Sequence, residues 1–133
     1  MGRGLDSFDS YSWRSLLAGQ EVLICVRERG AAFRLADGLE AAGARVTIAE
    51  DQAIALDRAA RRRFSIVVLV LDGSCEPSKM LRTRLDEDGA RIVILAAEER
   101  HAALGAAYPD TSIVERSISD RELVMFLVKT ADE

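Results

Sequence analysis

The chain has 133 residues, enough for one domain with a proper core and no need of staples. Its 49% hydrophobic and 30% charged composition is that of an ordinary globular protein, while 5% aromatic residues and a net charge of −4 argue against a dedicated nucleic-acid binder. No apolar run approaches the ~18 residues of a membrane span and no signal peptide is visible, so the expected compartment is the cytoplasm, with no membrane insertion.

Residues 1–20 are rich in Gly, Ser and Asp, carry the only Trp, and read as a tail or linker. Within them Ser12-Trp13-Arg14-Ser15-Leu16-Leu17 is able to form one helical turn that buries Trp13. Residues 21–131 read as the domain proper.

From Glu21 onward short apolar runs alternate with amphipathic stretches, the pattern of repeated βα units and a parallel sheet. Five strands are expected, at Val22–Val26, Arg45–Ala49, Phe64–Leu71, Arg91–Ala96 and Ser112–Glu115. The third and fourth are continuously apolar, so they belong in the middle of the sheet, covered on both faces. In the first helix Ala32, Phe33, Leu35, Ala36 and Leu39 recur at helical spacing and stop at Gly43, a natural cap. The second, over 52–62, starts behind Glu50 and Asp51 and ends in Arg58, Arg61, Arg62 and Arg63, a charge order that complements the helix dipole. A third helix is expected from near Pro77, with Met80, Leu81 and Leu85 inside, and a fourth over the alanine-rich 98–107. The last begins at Ser119, with Glu122 completing a capping box. Its run Leu123-Val124-Met125-Phe126-Leu127-Val128 is wider than one sheet-facing stripe, leaving apolar surface for a partner or simply a tightly packed helix.

Few catalytic patterns are present. Asp37, Ser74 and His101 do not form a triad by any local signature, no nucleophile elbow exists, and Gly-rich phosphate loops are absent. His101 has no second histidine or cysteine to help it hold a metal and reads as solvent-exposed. Cys25 lies in an apolar run and Cys75 in a loop, a spacing that indicates neither a disulfide framework nor a metal site.

The layout resembles the receiver domain of two-component response regulators over about residues 21–130. The matching pieces are Leu39-Glu40-Ala41-Ala42-Gly43 at the end of the first helix, Val46-Thr47-Ile48-Ala49-Glu50-Asp51, Phe64-Ser65-Ile66-Val67-Val68-Leu69, and Ile92-Val93-Ile94-Leu95-Ala96-Ala97. The resemblance implies a flavodoxin-like (βα)5 fold, a doubly wound parallel five-stranded sheet with helices on both faces. It also implies a phosphotransfer site at the carboxyl ends of the strands, with an acidic pair holding Mg²⁺, an aspartate nucleophile, a hydroxyl and a lysine. Carried over residue by residue, the acidic pair falls on Val26 and Arg27, the nucleophile on Val70, the hydroxyl on Ala96 and the lysine on Arg116. Only a cation survives.

The expectation is therefore a non-catalytic pseudo-receiver: not an enzyme, without a cofactor or metal, and with Arg27 in the space of the absent ion. It would bind a signalling protein or dimerise. Because receivers commonly meet partners at the fifth strand and last helix, the resemblance points to Ile113, Glu115, Arg121, Val124, Met125 and Val128. Two alternatives stay open. A bulge in the third strand would present Asp72 as an unusual phosphoacceptor; otherwise Asp72 caps the third helix or pairs with Arg27 or Arg116. Alternatively Arg61, Arg62, Arg63 and Arg116 hold a small anion such as a nucleotide second messenger.

Overall fold

A computed structural model of the chain describes residues 13–131. In chain order the elements are β1 (Glu21–Cys25), α1 (Arg29–Ala41), β2 (Arg45–Ala49), α2 (Gln52–Arg61), β3 (Ile66–Val70), α3 (Lys79–Asp88), β4 (Arg91–Ala96), α4 (His101–Ala107), β5 (Ser112–Glu115) and α5 (Asp120–Ala131). A single 3-10 turn, Glu98–Arg100, precedes α4, so the stretch 98–107 is not one continuous helix. The five strands are all parallel in the order β2-β1-β3-β4-β5, the doubly wound arrangement expected of the alternating pattern.

Strand alternation sorts the core into two layers. Val22 and Ile24 of β1 point with Val68, Val93 and Leu95 toward Ala32, Ala36 and Leu39 of α1 and Leu123, Val124 and Leu127 of α5. Leu23 and Cys25 point the other way, with Val67, Leu69 and Ile94, toward Ala55 and Ala59 of α2, Leu81 and Leu85 of α3, and Leu104 of α4. β3 and β4 are covered on both faces, which is why Ile66–Val70 and, after Arg91 at its start, Ile92–Ala96 are apolar throughout.

The helix ends follow from local chemistry. After α1 the Gly43 N–H bonds the Glu40 carbonyl and the Ala44 N–H bonds that of Leu39, a Schellman pair that needs Gly43 at φ +101°. Ser78 caps α3 by accepting from the Leu81 N–H, leaving Pro77 just outside. Ser119 and Glu122 exchange side-chain bonds with each other's N–H at the start of α5, as the capping box requires.

Three expectations about side chains are corrected. Phe33 is 56% exposed and Met80 70% exposed, because each lies on the flank of a helix whose inner stripe is filled by other residues. His101 is half-buried: the first turn of α4 folds over the end of β4, and its Nε2–H donates to the Ala96 carbonyl at 2.8 Å. Of the N-terminal tail, residues 1–12 lie outside the described residues. Residues 13–20 pack on the domain: Leu17 is 2% exposed, its N–H bonds the Ala42 carbonyl at 2.8 Å, and half-buried Trp13 lies under the Arg121 guanidinium, 4.6 Å from the ring centre.

Candidate functional site

In an open parallel sheet, the crevice beyond the carboxyl ends of the strands, where the winding direction reverses, is the natural place for a ligand. Here that point lies between β1 and β3. The register pairs Cys25 with Leu69, Val70 with Leu95 and Ala96 with Glu115. It therefore brings Val26, Val70, Ala96 and Arg116 to one row at this edge. The Arg116 N–H bonds the Ala96 carbonyl at 3.1 Å, which fixes the last two. Val26 and Ala96 are buried and Val70 is half-buried. None of the three carries an oxygen on its side chain to ligate a cation, accept a phosphoryl group or donate to one.

β3 runs in unbroken register with both neighbours, and its ladder continues through the Leu71 N–H to the Leu95 carbonyl at 2.9 Å. There is no bulge. Asp72 thus stands past the strand end, and its Oδ1 meets the Arg116 guanidinium at 2.5 Å. Of the two arginines expected to pair with it, Arg116 does so. Arg27 is exposed and lines the adjoining cleft, with no ion pair among the described residues.

Two hollows flank the row. The larger, about 510 Å³, is lined by Cys25, Arg27, Glu50, Asp51, Asp72 and Cys75, among others. The smaller, about 200 Å³ on the α1 and α5 side, includes Glu28, Arg34, Asp72, Arg116 and Asp120. The acids that follow β1 and β2 are already engaged. Glu28 caps α1, its carboxylate accepting from the Gly30 and Ala31 N–H groups at 2.9 and 2.5 Å, and these backbone bonds hold it below the usual carboxylate range. Asp51 caps α2 through the Ile54 N–H at 2.8 Å, and Glu50 pairs with Arg29 at 3.3 Å. Among the described residues no group of three or more His, Cys, Asp or Glu is placed to hold a metal ion. The residues present do not fit Mg²⁺, which needs oxygen ligands where this chain has Val26 and the Arg27 cation.

Below the larger hollow, Cys25 is buried and its thiol is pushed up to about 12, first by desolvation and then by the charges of Asp51 and Cys75. The loop after β3 is tied down by residues that sequence reasoning did not single out. The Gln52 amide donates to the Glu76 carbonyl at 2.8 Å and accepts from the Ser78 N–H. Arg100 donates to the Cys75 carbonyl at 2.8 Å and the Glu76 carboxylate at 3.1 Å, and the Tyr108 hydroxyl reaches the same carboxylate at 3.3 Å. Arg82 covers the Tyr108 ring at 4.5 Å.

The other sequence-derived groupings separate. Arg61 pairs with Asp57, Arg62 with Glu21 and Arg63 with Asp88, all near the amino ends of the strands, whereas Arg116 sits at the carboxyl edge. These four arginines do not converge on one anion. On the last helix Val124 is fully buried between α1 and the sheet, because Leu123, Val124 and Leu127 form the inner stripe; it is removed from the candidate partner face. Met125 is 43% exposed and Arg121 is exposed, while Ile113, Glu115 and Val128 are half-buried.

Solved structures share this arrangement. The chain is similar to the chemotaxis protein CheY4 of Vibrio cholerae, with 19% identity, a TM-score of 0.70, and 84% of this chain and 98% of that one covered. It is similar to a response regulator receiver protein from Sinorhizobium medicae WSM419, with 22% identity, a TM-score of 0.68, and 90% and 100% covered. It is also similar to a sensor protein from Polaromonas sp. JS666, with 25% identity, a TM-score of 0.69, and 86% and 97% covered. No sequence-family model and no curated protein sequence matches the chain. The fold is that of the receiver domains of two-component signalling.

Proposed function

We propose that this chain is a non-catalytic pseudo-receiver, a protein-interaction module of bacterial two-component signalling that works in the cytoplasm without a cofactor. The observation that carries this reading is the row at the carboxyl edge: Val26, Val70 and Ala96 supply no ligand, nucleophile or hydroxyl, and Asp72, the carboxylate just past the end of β3, is tied to Arg116. Phosphoryl transfer depends on a carboxylate nucleophile and on a cation that neutralises the transferred group. The domain instead signals by the surface it presents in one state. The surface that fits best is the β5 and α5 face, where Ile113, Met125 and Val128 supply apolar area beside Glu115 and Arg121.

The reading is tested by intact mass after incubation with acetyl phosphate and Mg²⁺. The expected result is an unmodified chain. A phosphoryl adduct that disappears in Asp72→Asn would make this a phosphoacceptor with a displaced nucleophile.

A further inference from the structure

The sheet has two free edges, β2 and β5, and they are not alike. β5 is four residues long, its outer Glu115 carbonyl accepts the Ile118 N–H at 3.1 Å, and the Glu115 side chain guards it with charge. β2 has no such defence. Its Arg45 N–H donates to the Gln20 carbonyl and its Ala49 carbonyl accepts from the Val26 N–H, so Arg45, Thr47 and Ala49 face β1. By alternation the N–H and C=O groups of Val46 and Ile48 face outward, with no partner among the described residues. No helix of the described residues covers them. An open groove of about 450 Å³ runs over the strand, lined by Ala32 and Phe33 of α1, Ile48, and Ile54 and Arg58 of α2. Phe33, the most exposed aromatic among the described large hydrophobics, borders it at 56% exposure.

We infer that the β2 edge is a self-association surface, on which two copies of this chain pair antiparallel through β2 about a twofold axis at Thr47. Like edge on like edge under a twofold must be antiparallel, so each element near the axis has to carry opposite charges at its two ends. They do. β2 begins with Arg45, whose side chain is 81% exposed, and is followed by Glu50 and Asp51. α1 begins with Arg29, and Asp37 and Glu40 lie further along the helical stripe of Arg29 and Phe33. α2 begins behind Asp51 and ends in Arg58 and Arg61. In the twofold arrangement Val46 of one copy and Ile48 of the other exchange their N–H and C=O groups, twice over. Thr47 faces its own copy in the close, non-hydrogen-bonded position. The two five-stranded sheets become one, and both β5 and α5 faces remain free at its outer ends. This inference rests on the β2 edge alone and stands or falls apart from the functional reading.

The test uses the full chain. Sedimentation velocity over roughly 1 μM to 1 mM should show a monomer converting to a dimer, and Phe33→Lys, which changes an exposed residue, should raise the dissociation constant roughly tenfold or more. In a Cys75→Ser background, Thr47→Cys should give a covalent dimer on mild oxidation, and Ile113→Cys on β5 should not. A monomer at every concentration would overturn the inference. So would a dimer indifferent to Phe33→Lys with unchanged circular dichroism, or cross-linking at Ile113→Cys and not at Thr47→Cys.

Discussion

The Arg116 guanidinium meets the Asp72 carboxylate at 2.5 Å, across the position where a phosphotransfer site would need a free acid. The pair is half-open to water, with side-chain exposures of 48% and 34%, so solvent screening keeps its contribution small. A double-mutant cycle of Asp72→Asn and Arg116→Gln in urea unfolding should give a coupling of at most ~1 kcal/mol. A coupling several times larger would mean that Asp72 is more deeply desolvated than its exposure indicates.

Close packing of α1 on α5 reverses an ordinary substitution rule. A Cβ on Gly38 would stand 2.7 Å from the Cβ of Asp120, whereas one on Gly105 would meet nothing within 4 Å. In a helix interior Gly→Ala normally stabilises by ~0.5–1 kcal/mol. Gly105→Ala should follow that rule, and Gly38→Ala should instead cost ~1–3 kcal/mol by forcing the helices apart. Urea midpoints of the two variants shifting the same way would contradict this packing.

Sequence periodicity located the sheet well, since β2, β4 and β5 begin and end where apolar runs meet turn residues and arginines. The carboxyl edge of the sheet was legible too, because the third and fourth strands could be aligned by their own patterns, which placed Val70 and Ala96 at their carboxyl ends. What periodicity does not carry is which flank of a helix has something above it, hence the misplacing of Phe33, Met80 and Val124. Nor does it carry contacts between distant segments. Gln52, Arg100 and Tyr108 reach the loop after β3 from 24 to 32 residues away in sequence, so no local pattern marks them. His101 was misread for the same reason: its alanine-rich surroundings do not show that the turn closes over Ala96.

The two thiols should differ in reactivity. Burial pushes Cys25 up to about 12, so at pH 8 it stays a protonated, enclosed thiol, while Cys75 is exposed. Ellman's reagent on the native chain should modify one thiol promptly and the second only on unfolding. Rapid modification of both would show that β1 opens readily at its carboxyl end.

Acid stability should depend on Glu28. Its folded pKa is held low by the Ala31 and Gly30 N–H groups, so the unfolded chain takes up the proton first as the pH falls. Its contribution is present above the ordinary carboxylate range and is lost as the pH drops through the folded value. Glu28→Gln should therefore lower the melting temperature in the neutral region and leave the acid extreme little changed, which flattens the acid limb of a melting temperature against pH profile. An unchanged acid limb would contradict the capping role.

A receiver fold without a working phosphoryl site should leave the backbone amide resonances of the carboxyl edge unmoved during a titration with Mg²⁺ and then beryllofluoride. The amides of Arg27, Val70, Asp72, Ala96 and Arg116 should show no saturable shifts, because among the described residues no group of three or more His, Cys, Asp or Glu is placed to hold the ion and Asp72 is paired with Arg116. A saturable, Mg²⁺-dependent shift centred on these residues and abolished in Asp72→Asn would contradict it.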